Sequence, residues 1–557
     1  MGIAGRYPER PAIVHDGHAM GYGRLAELVN GLAARLGPRP GTVAVAATHA
    51  PETVVGLLGV LAAGGAYCPV DPAFPIERRQ AMLAAAGCRT MVAAAPAADA
   101  GFRLELMELG PHPEPAEGAP GIARPGPVQS PDHCGDTRPK SLDANGLRAN
   151  DLRPTGSAGA GPEDPAYVLF TSGSTGAPKP VVTPRRAVSA AVHSLRDLFA
   201  LTPEDRVLQF ASLNWDTCFE EILPTLTAGA TLVFDAEAYS GSFPRFLRMV
   251  ERRGITVLDL PTAFWHELVL HLAEDRLALP GCVRLLVIGG EAASPARLAD
   301  WSGLDTGRIR LVNTYGSTET TLVTHAVDLH GPGIPGPGTE WDGSARAPIG
   351  RPLPHVVQRI SEQGELLIGG AAVALGYLGL PEATAARFST VDGEPWFRTG
   401  DRVSNSPDGV LTHEGRLDNE IKVRGIRVDP AEVEAHIAGH PEVGAVAVAA
   451  ATLAGRSALV AYVVPRTAPV AATLDADILA YLRTRVPGHL VPSRVTVVPE
   501  LVLTASGKVD RAGTDRRHAA RPGTHRSAGS GTPHPARESH TPRESHAAHD
   551  QVKGDVR

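Results

Sequence analysis

Short apolar runs alternate with helix-period segments from about residue 10 to 110. GTVAVAA (41–47) reads as a buried strand, and ETVVGLLGVLAAGG (52–65) as a helix stopped by glycines. This alternation predicts a parallel sheet with helices on its faces. From 111 to 165 Pro, Gly, Asp and Arg take over, with too little apolar surface to offset the entropy of ordering, so a mobile surface insertion is expected. The strand pattern returns at AYVLF (166–170) and recurs at RVLQFAS (206–212), ITVLDL (255–260), VRLLVIGG (283–290) and IRLVNTYG (309–316). From about 345 the pattern becomes β-rich and punctuated by glycine, and a small α/β unit is expected over about 419–511. The segment 512–557 is polar, with an ARESH/PRESH echo. It reads as a solvated, disordered tail rather than a histidine metal site.

Composition narrows the function classes. The length of 557 residues allows several domains, each with its own core. A net charge of −7 argues against a general nucleic-acid surface. No apolar run approaches the roughly 20 residues that span a bilayer, and the N-terminus lacks a signal pattern, so no membrane association and a cytoplasmic location are expected. The five cysteines, Cys68, Cys88, Cys134, Cys218 and Cys282, form no CxxC pair and read as buried thiols.

The stretch TSGSTGAPKP (171–180) stands apart. It makes a poor helix or strand, yet directly follows an apolar strand and gathers hydroxyls, backbone N–H groups and one cation at a single place. Such a set suits a polyphosphate. The spacing is not that of a P-loop, because Ala177 and Pro178 separate Gly176 from Lys179. The chain has only five lysines, at 140, 179, 422, 508 and 553, among 53 cations. Where arginine is the default, a lysine in an unusual loop suggests use of its compact charge. Lys179 and Lys508, the latter in SGKVDR, fit that description.

YVLFTSGSTGAPK resembles the phosphate loop of the adenylate-forming superfamily, which includes acyl-CoA synthetases and the adenylation domains of nonribosomal peptide synthetases. The resemblance runs from about residue 10 to 511 in motif order: LAAGGAYCPVDPAFPIERR (61–79), NTYGSTETT (313–321), GELLIGGAAVALGYL (364–378), FRTGD (397–401), GRLDNEIKVRGIRVDPAEVE (415–434) and SGKVDR (506–511). It implies an α/β fold with a large N-terminal domain (1–417) of parallel-rich sheets, helices and a β-rich subdomain. A small mobile C-terminal lid (418–511) would swing about Asp418. The cofactors implied are ATP and Mg²⁺.

Residue roles follow from the same resemblance. Thr171, Ser172, Gly173, Ser174, Thr175, Gly176 and Lys179 would close over the β- and γ-phosphates. Gly290, Glu291, Asn313, Tyr315, Gly316 and Thr318 would surround the nucleotide, with Tyr315 stacked on adenine. Glu319 would hold Mg²⁺, Asp401 the ribose hydroxyls with Arg416 nearby, and Lys508 would be catalytic at the α-phosphate. Pro180 stands where the family usually has Gly, and with Pro184 it implies a loop that closes differently.

NWDTCFEEILPTLTAGATL (214–232) resembles the pocket helix of amino-acid-activating members and puts Asp216 where they bind the substrate ammonium. The rest of the lining would be Thr217, Glu220, Asp259, Val287, Gly289, Thr314, Leu322 and Val323. An unpaired buried carboxylate costs several kcal/mol, so three of them call for cationic partners. The expected substrate is lysine, ornithine or an isomer such as β-lysine. No condensation or carrier domain is recognisable in the sequence. This implies a free-standing enzyme of nonribosomal peptide or natural-product biosynthesis that loads the phosphopantetheine of a peptidyl carrier protein in trans; need for a small accessory protein stays open. The alternatives are a carboxylate–CoA ligase and a non-catalytic nucleotide-binding regulator.

Overall fold

The computed structural model describes residues 2–93, 105–108, 159–173, 178–332, 346–418, 420–423, 426–453, 456–467, 473–503 and 509–519. Nearly all of the 111–165 insertion, the tail beyond 519 and Lys508 lie outside them. Residues up to Arg517 form one compact unit.

Two sheets carry the large lobe. In the first, nine strands run in the order Arg351–Pro352, Val323–His330, Arg310–Gly316, Leu285–Gly289, Val257–Pro261, Arg206–Leu208, Thr231–Phe234, Pro11–His15 and His18–Gly21. The strands from Arg310–Gly316 to Pro11–His15 are parallel, and an antiparallel edge closes each side. The second, of seven strands, centres on Pro165–Thr171, Ala66–Val70 and Thr42–Ala46. One core takes side chains from both sheets and from the helices Tyr22–Leu36, Pro51–Ala62, Arg185–Leu198 and Thr217–Ala228. The predicted strands are present with shifted ends: AYVLF extends to Pro165–Thr171, while the others are shorter by one to four residues, RVLQFAS keeping only Arg206–Leu208.

The stretch 171–180 is less loop-like than its composition suggests. Thr171 ends one strand and Lys179 begins the next, paired with it antiparallel, and Pro180 pairs with Phe170.

The expected β-rich part is a five-stranded sheet built from Val356–Ile360, Glu365–Gly370, Glu394–Asn405, Phe388–Val391 and Leu411–Arg416. Beyond it a hairpin (Ile421–Val423 and Ile426–Val428) leads into the small lobe. There Val443–Leu453, Arg456–Pro465 and Arg494–Val497 form a sheet, and the helices Pro430–Ala438 and Leu474–Arg483 share its separate core.

The helix Thr217–Ala228 matters most for the site. Nine of its twelve residues, Cys218 to Leu226, are buried, so it is covered on almost every side. Pro224 within it has no N–H for the Glu220 carbonyl one turn back, which loosens the ladder beside the site. Gly229 ends the helix at φ 80°, a left-handed position that suits glycine.

Candidate active site

A cavity of about 290 Å³ opens at the carboxyl ends of the central parallel strands. Open parallel sheets place their ligand sites at that edge. Register explains which residues reach it. Asp259 pairs with Val287, and Pro261 with Gly289, which pairs with Thr314. Partners share a face, so Pro261, Gly289 and Thr314 form the outer layer and Asp259 and Val287 the layer beneath. Asp259 is long enough to reach the cavity. Val287 is wholly buried and is not at the wall.

Of the expected substrate residues, Asp216, Thr217, Glu220, Asp259, Gly289, Thr314, Leu322 and Val323 line this one cavity, with Thr171, Gly290, Gly316, Thr318, Glu319, Asp401 and Arg416 from the nucleotide set. Ser172, Gly173, Lys179, Glu291, Asn313 and Tyr315 do not. Strand alternation accounts for two of these: Thr314 and Gly316 face the cavity, so Asn313 and Tyr315 face away. Asn313 donates to the Pro348 carbonyl (2.7 Å), and Tyr315 to Asp401 Oδ2 (2.6 Å). Ser174, Thr175, Gly176 and Lys508 lie outside the described residues.

Three carboxylates converge at the substrate end. Burial pushes the Asp216 pKa up to about 6, a hydrogen bond from Thr318 opposing it and the Glu319 charge adding to it. Burial pushes Asp259 up to about 7. Glu220 is driven well above the usual carboxylate range by burial, then by the charges of Asp259, Asp216 and Glu221. Asp259 Oδ2 is buried with no hydrogen-bond donor. Glu221 is accounted for differently: it accepts from the amides of Phe210 and Ala211 (both 2.9 Å) and from Gln209 (3.0 Å).

These raised values fix a sign. A carboxylate that holds its proton more tightly when folded destabilises the fold as pH rises between its unfolded and folded pKa values, because the native state then binds more protons. The window from about pH 4 to 7 follows from Asp216 and Asp259. The ligand-free protein is therefore expected to lose stability from these groups as pH rises from about 4 to 7, on the order of a few kcal/mol. Denaturant titrations across that range would show it; a rise in stability through the window would contradict it.

At the nucleotide end every carboxylate is paired. Asp401 binds Tyr315, His413 Nε2 (3.0 Å) and Arg416 (3.0 Å). Burial alone would raise its pKa, but the His413 hydrogen bond and the Lys422 and Arg416 charges hold it well below the usual range. Arg416 also grips Asp418 through two nitrogens (both 2.6 Å), and Arg387 holds Asp418 from the other side (2.5 Å). Glu319 is fully buried, accepts from Tyr377 Oη (2.8 Å) and forms a forked pair with Arg427 (3.0 and 3.2 Å). Despite its burial, the Arg427 charge and the Tyr377 hydrogen bond hold its pKa low. A buried carboxylate kept ionised is a suitable donor for a hard cation such as Mg²⁺. Among the described residues no cluster of three metal-ligating side chains exists, so such an ion would depend on phosphate oxygens for further ligands.

Sequence reasoning missed Tyr377, His413, Arg427 and Lys422, which all touch this region. Lys422 had a signal: it is one of five lysines, it lines the cavity, and its Nζ sits 5.6 Å from the Tyr315 ring centre.

The fold carries a carboxylate-lined cavity at the ends of its parallel strands, and the chain matches an enzyme family of known type. Residues 3–378 match the AMP-binding enzyme family and residues 432–508 its C-terminal domain, and the chain belongs to that family. It is 39% identical over 512 residues to an isonitrile lipopeptide synthase of Streptomyces coeruleorubidus, covering 90% of this chain and 32% of that protein. It is 32% identical over 529 residues to a dimodular nonribosomal peptide synthase of Bacillus subtilis, covering 90% of this chain and 21% of that one. The chain thus spans a third or less of these relatives. Among solved structures, NpsA-ThdA, an artificially fused adenylation–PCP di-domain from Klebsiella oxytoca, superposes with a TM-score of 0.69 at 23% identity, over 89% of this chain and 92% of that one. Among the described residues no helix is long and apolar enough to cross a membrane.

Proposed function

We propose that this enzyme activates a basic amino acid of the lysine, β-lysine or ornithine type as its aminoacyl-AMP, and then passes the aminoacyl group to the phosphopantetheine thiol of a separate carrier protein in natural-product biosynthesis. One observation carries the substrate assignment: Asp216, Glu220 and Asp259 share one buried wall, and Asp259 Oδ2 lacks a donor. One ammonium satisfies Asp216; a second, at the far end of the substrate, supplies the donor that Asp259 Oδ2 lacks and offsets the charge of Glu220 beside it. The carrier is supported by the peptide-synthase relatives and by the fused carrier domain of NpsA-ThdA.

In the reaction a substrate carboxylate oxygen bonds to the α-phosphorus of ATP as the bond to the β-phosphate bridging oxygen breaks, releasing pyrophosphate. Asp216 fixes the α-ammonium, so the carboxylate is aimed before attack. Asp401 and Arg416 orient the ribose. The amides and hydroxyls of 171–176, with Lys179, hold the β- and γ-phosphates, and Lys508 stabilises charge on the α-phosphate. Glu319 would hold Mg²⁺, whose charge offsets that of the leaving pyrophosphate.

Amino-acid-dependent exchange of labelled pyrophosphate into ATP, run across all common amino acids, ornithine and β-lysine, tests the reading. Exchange confined to basic substrates supports it; exchange with neutral acids alone overturns the substrate class. Thioester formation on coenzyme A, with none on a phosphopantetheinylated carrier, would make the protein a CoA ligase instead.

A further inference from the structure

The small lobe meets the phosphate side of the cleft with two opposite charges. Arg427 forms its forked pair with Glu319 while its own lobe holds it through Glu420 (2.8 Å). Five residues on, Glu432 is wholly buried; its Oε2 accepts the Gly173 N–H (3.1 Å) and its Oε1 pairs with Arg78 (2.6 Å). Between them Ser172 Oγ accepts the Asp429 N–H (3.0 Å) and donates to the Arg427 carbonyl (2.9 Å). A cation therefore sits on the carboxylate assigned to the metal, and a carboxylate sits on an amide assigned to phosphate.

Ordinary lobe packing does not require this sign pattern. Burying a guanidinium and a carboxylate is costly unless each is paired. Arg427 is paired with Glu420 and Glu432 with Arg78, and beyond those partners each also engages a group assigned to the reaction's leaving fragment, Glu319 and the Gly173 amide. We propose that Arg427–Glu432 is an internal mimic of magnesium pyrophosphate: its guanidinium takes the metal's carboxylate and its carboxylate takes a phosphate amide, so the lobe in this arrangement excludes the return of pyrophosphate and its metal. Two consequences follow. Pyrophosphate release and this arrangement of the small lobe are thermodynamically linked, each favouring the other. The reverse reaction is suppressed for as long as the contact lasts. The inference rests on the roles given above to Glu319 and to 171–176.

The test uses the full chain, Mg²⁺ and inorganic pyrophosphate. In the wild-type protein, adding both together is expected to speed hydrogen exchange at least fivefold in peptides covering 426–433, including the Asp429 amide that donates to Ser172, while Mg²⁺ alone does less. By calorimetry, Arg427→Gln and Glu432→Gln should each bind magnesium pyrophosphate three- to tenfold more tightly than wild type. Unchanged exchange in wild type, or equal or weaker binding by the variants, overturns the mimic while leaving the metal and phosphate assignments intact. No binding by any form overturns those assignments, and the mimic with them. The exchange readout uses wild-type protein, so it holds even if a variant fails to fold.

Discussion

Exchanging Asp259 for Asn together with Glu220 for Gln is expected to lower kcat/KM for the preferred basic amino acid by about 10²–10³, and to raise the melting temperature of the ligand-free protein at pH 8. The first effect follows from removing the acceptors of a buried ammonium, a loss of about 3–4 kcal/mol. The second follows from the same two groups without ligand: both are driven toward protonation by burial, and Glu220 also by its neighbours' charge, so keeping either in the folded site at pH 8, charged or protonated, costs stability that the unfolded chain does not lose. Neutral amides of nearly the same shape remove that cost. The paired outcome is diagnostic. A mutation that merely damaged packing would lower activity and stability together, whereas here they should move in opposite directions. Pyrophosphate exchange and thermal denaturation on the same preparations measure both. A drop in melting temperature at pH 8 would mean the carboxylates are internally satisfied and need no cation.

Lys508→Ala is expected to reduce amino-acid-dependent pyrophosphate exchange by about 10²–10³, with ATP affinity changed less than threefold. A cation placed where charge develops on the α-phosphate contributes to the transition state far more than to ground-state binding, so the loss should fall on kcat. Steady-state exchange kinetics with a nucleotide-binding titration separate the two. Equal losses in kcat and in ATP affinity would make Lys508 a general binding residue.

The apolar runs made the parallel strands legible, and with them the cavity edge, because a buried parallel strand leaves little in its sequence but branched apolar residues. Asp216, Glu220 and Asp259 were legible through resemblance: NWDTCFEEILPTLTAGATL resembles the pocket helix of amino-acid-activating members, and the other lining positions followed from it. Strand boundaries were not, since pairing geometry, not composition, ends a strand. The same geometry separates Thr314 and Gly316, at the wall, from Asn313 and Tyr315 behind it, a distinction that period-two alternation could have drawn from NTYG alone. The pairs Glu319–Arg427 and Gly173–Glu432 join residues 108 and 259 positions apart. Each looks like an ordinary surface charge or loop glycine until the lobes are brought together, so no local pattern could reveal them. In contrast, the scarcity of lysine pointed to Lys179 and Lys508, and the same signal could have drawn attention to Lys422.

The central claim is that the far end of the substrate pocket is built for a second positive charge. The most direct measurement compares kcat/KM in pyrophosphate exchange for the best basic amino acid and for its uncharged isostere: 2-aminoheptanoic acid for lysine, norleucine for ornithine, 3-aminoheptanoic acid for β-lysine. A preference of at least 100-fold for the charged member is predicted at pH 8. Equal rates, or a preference for the uncharged isostere, would contradict the claim.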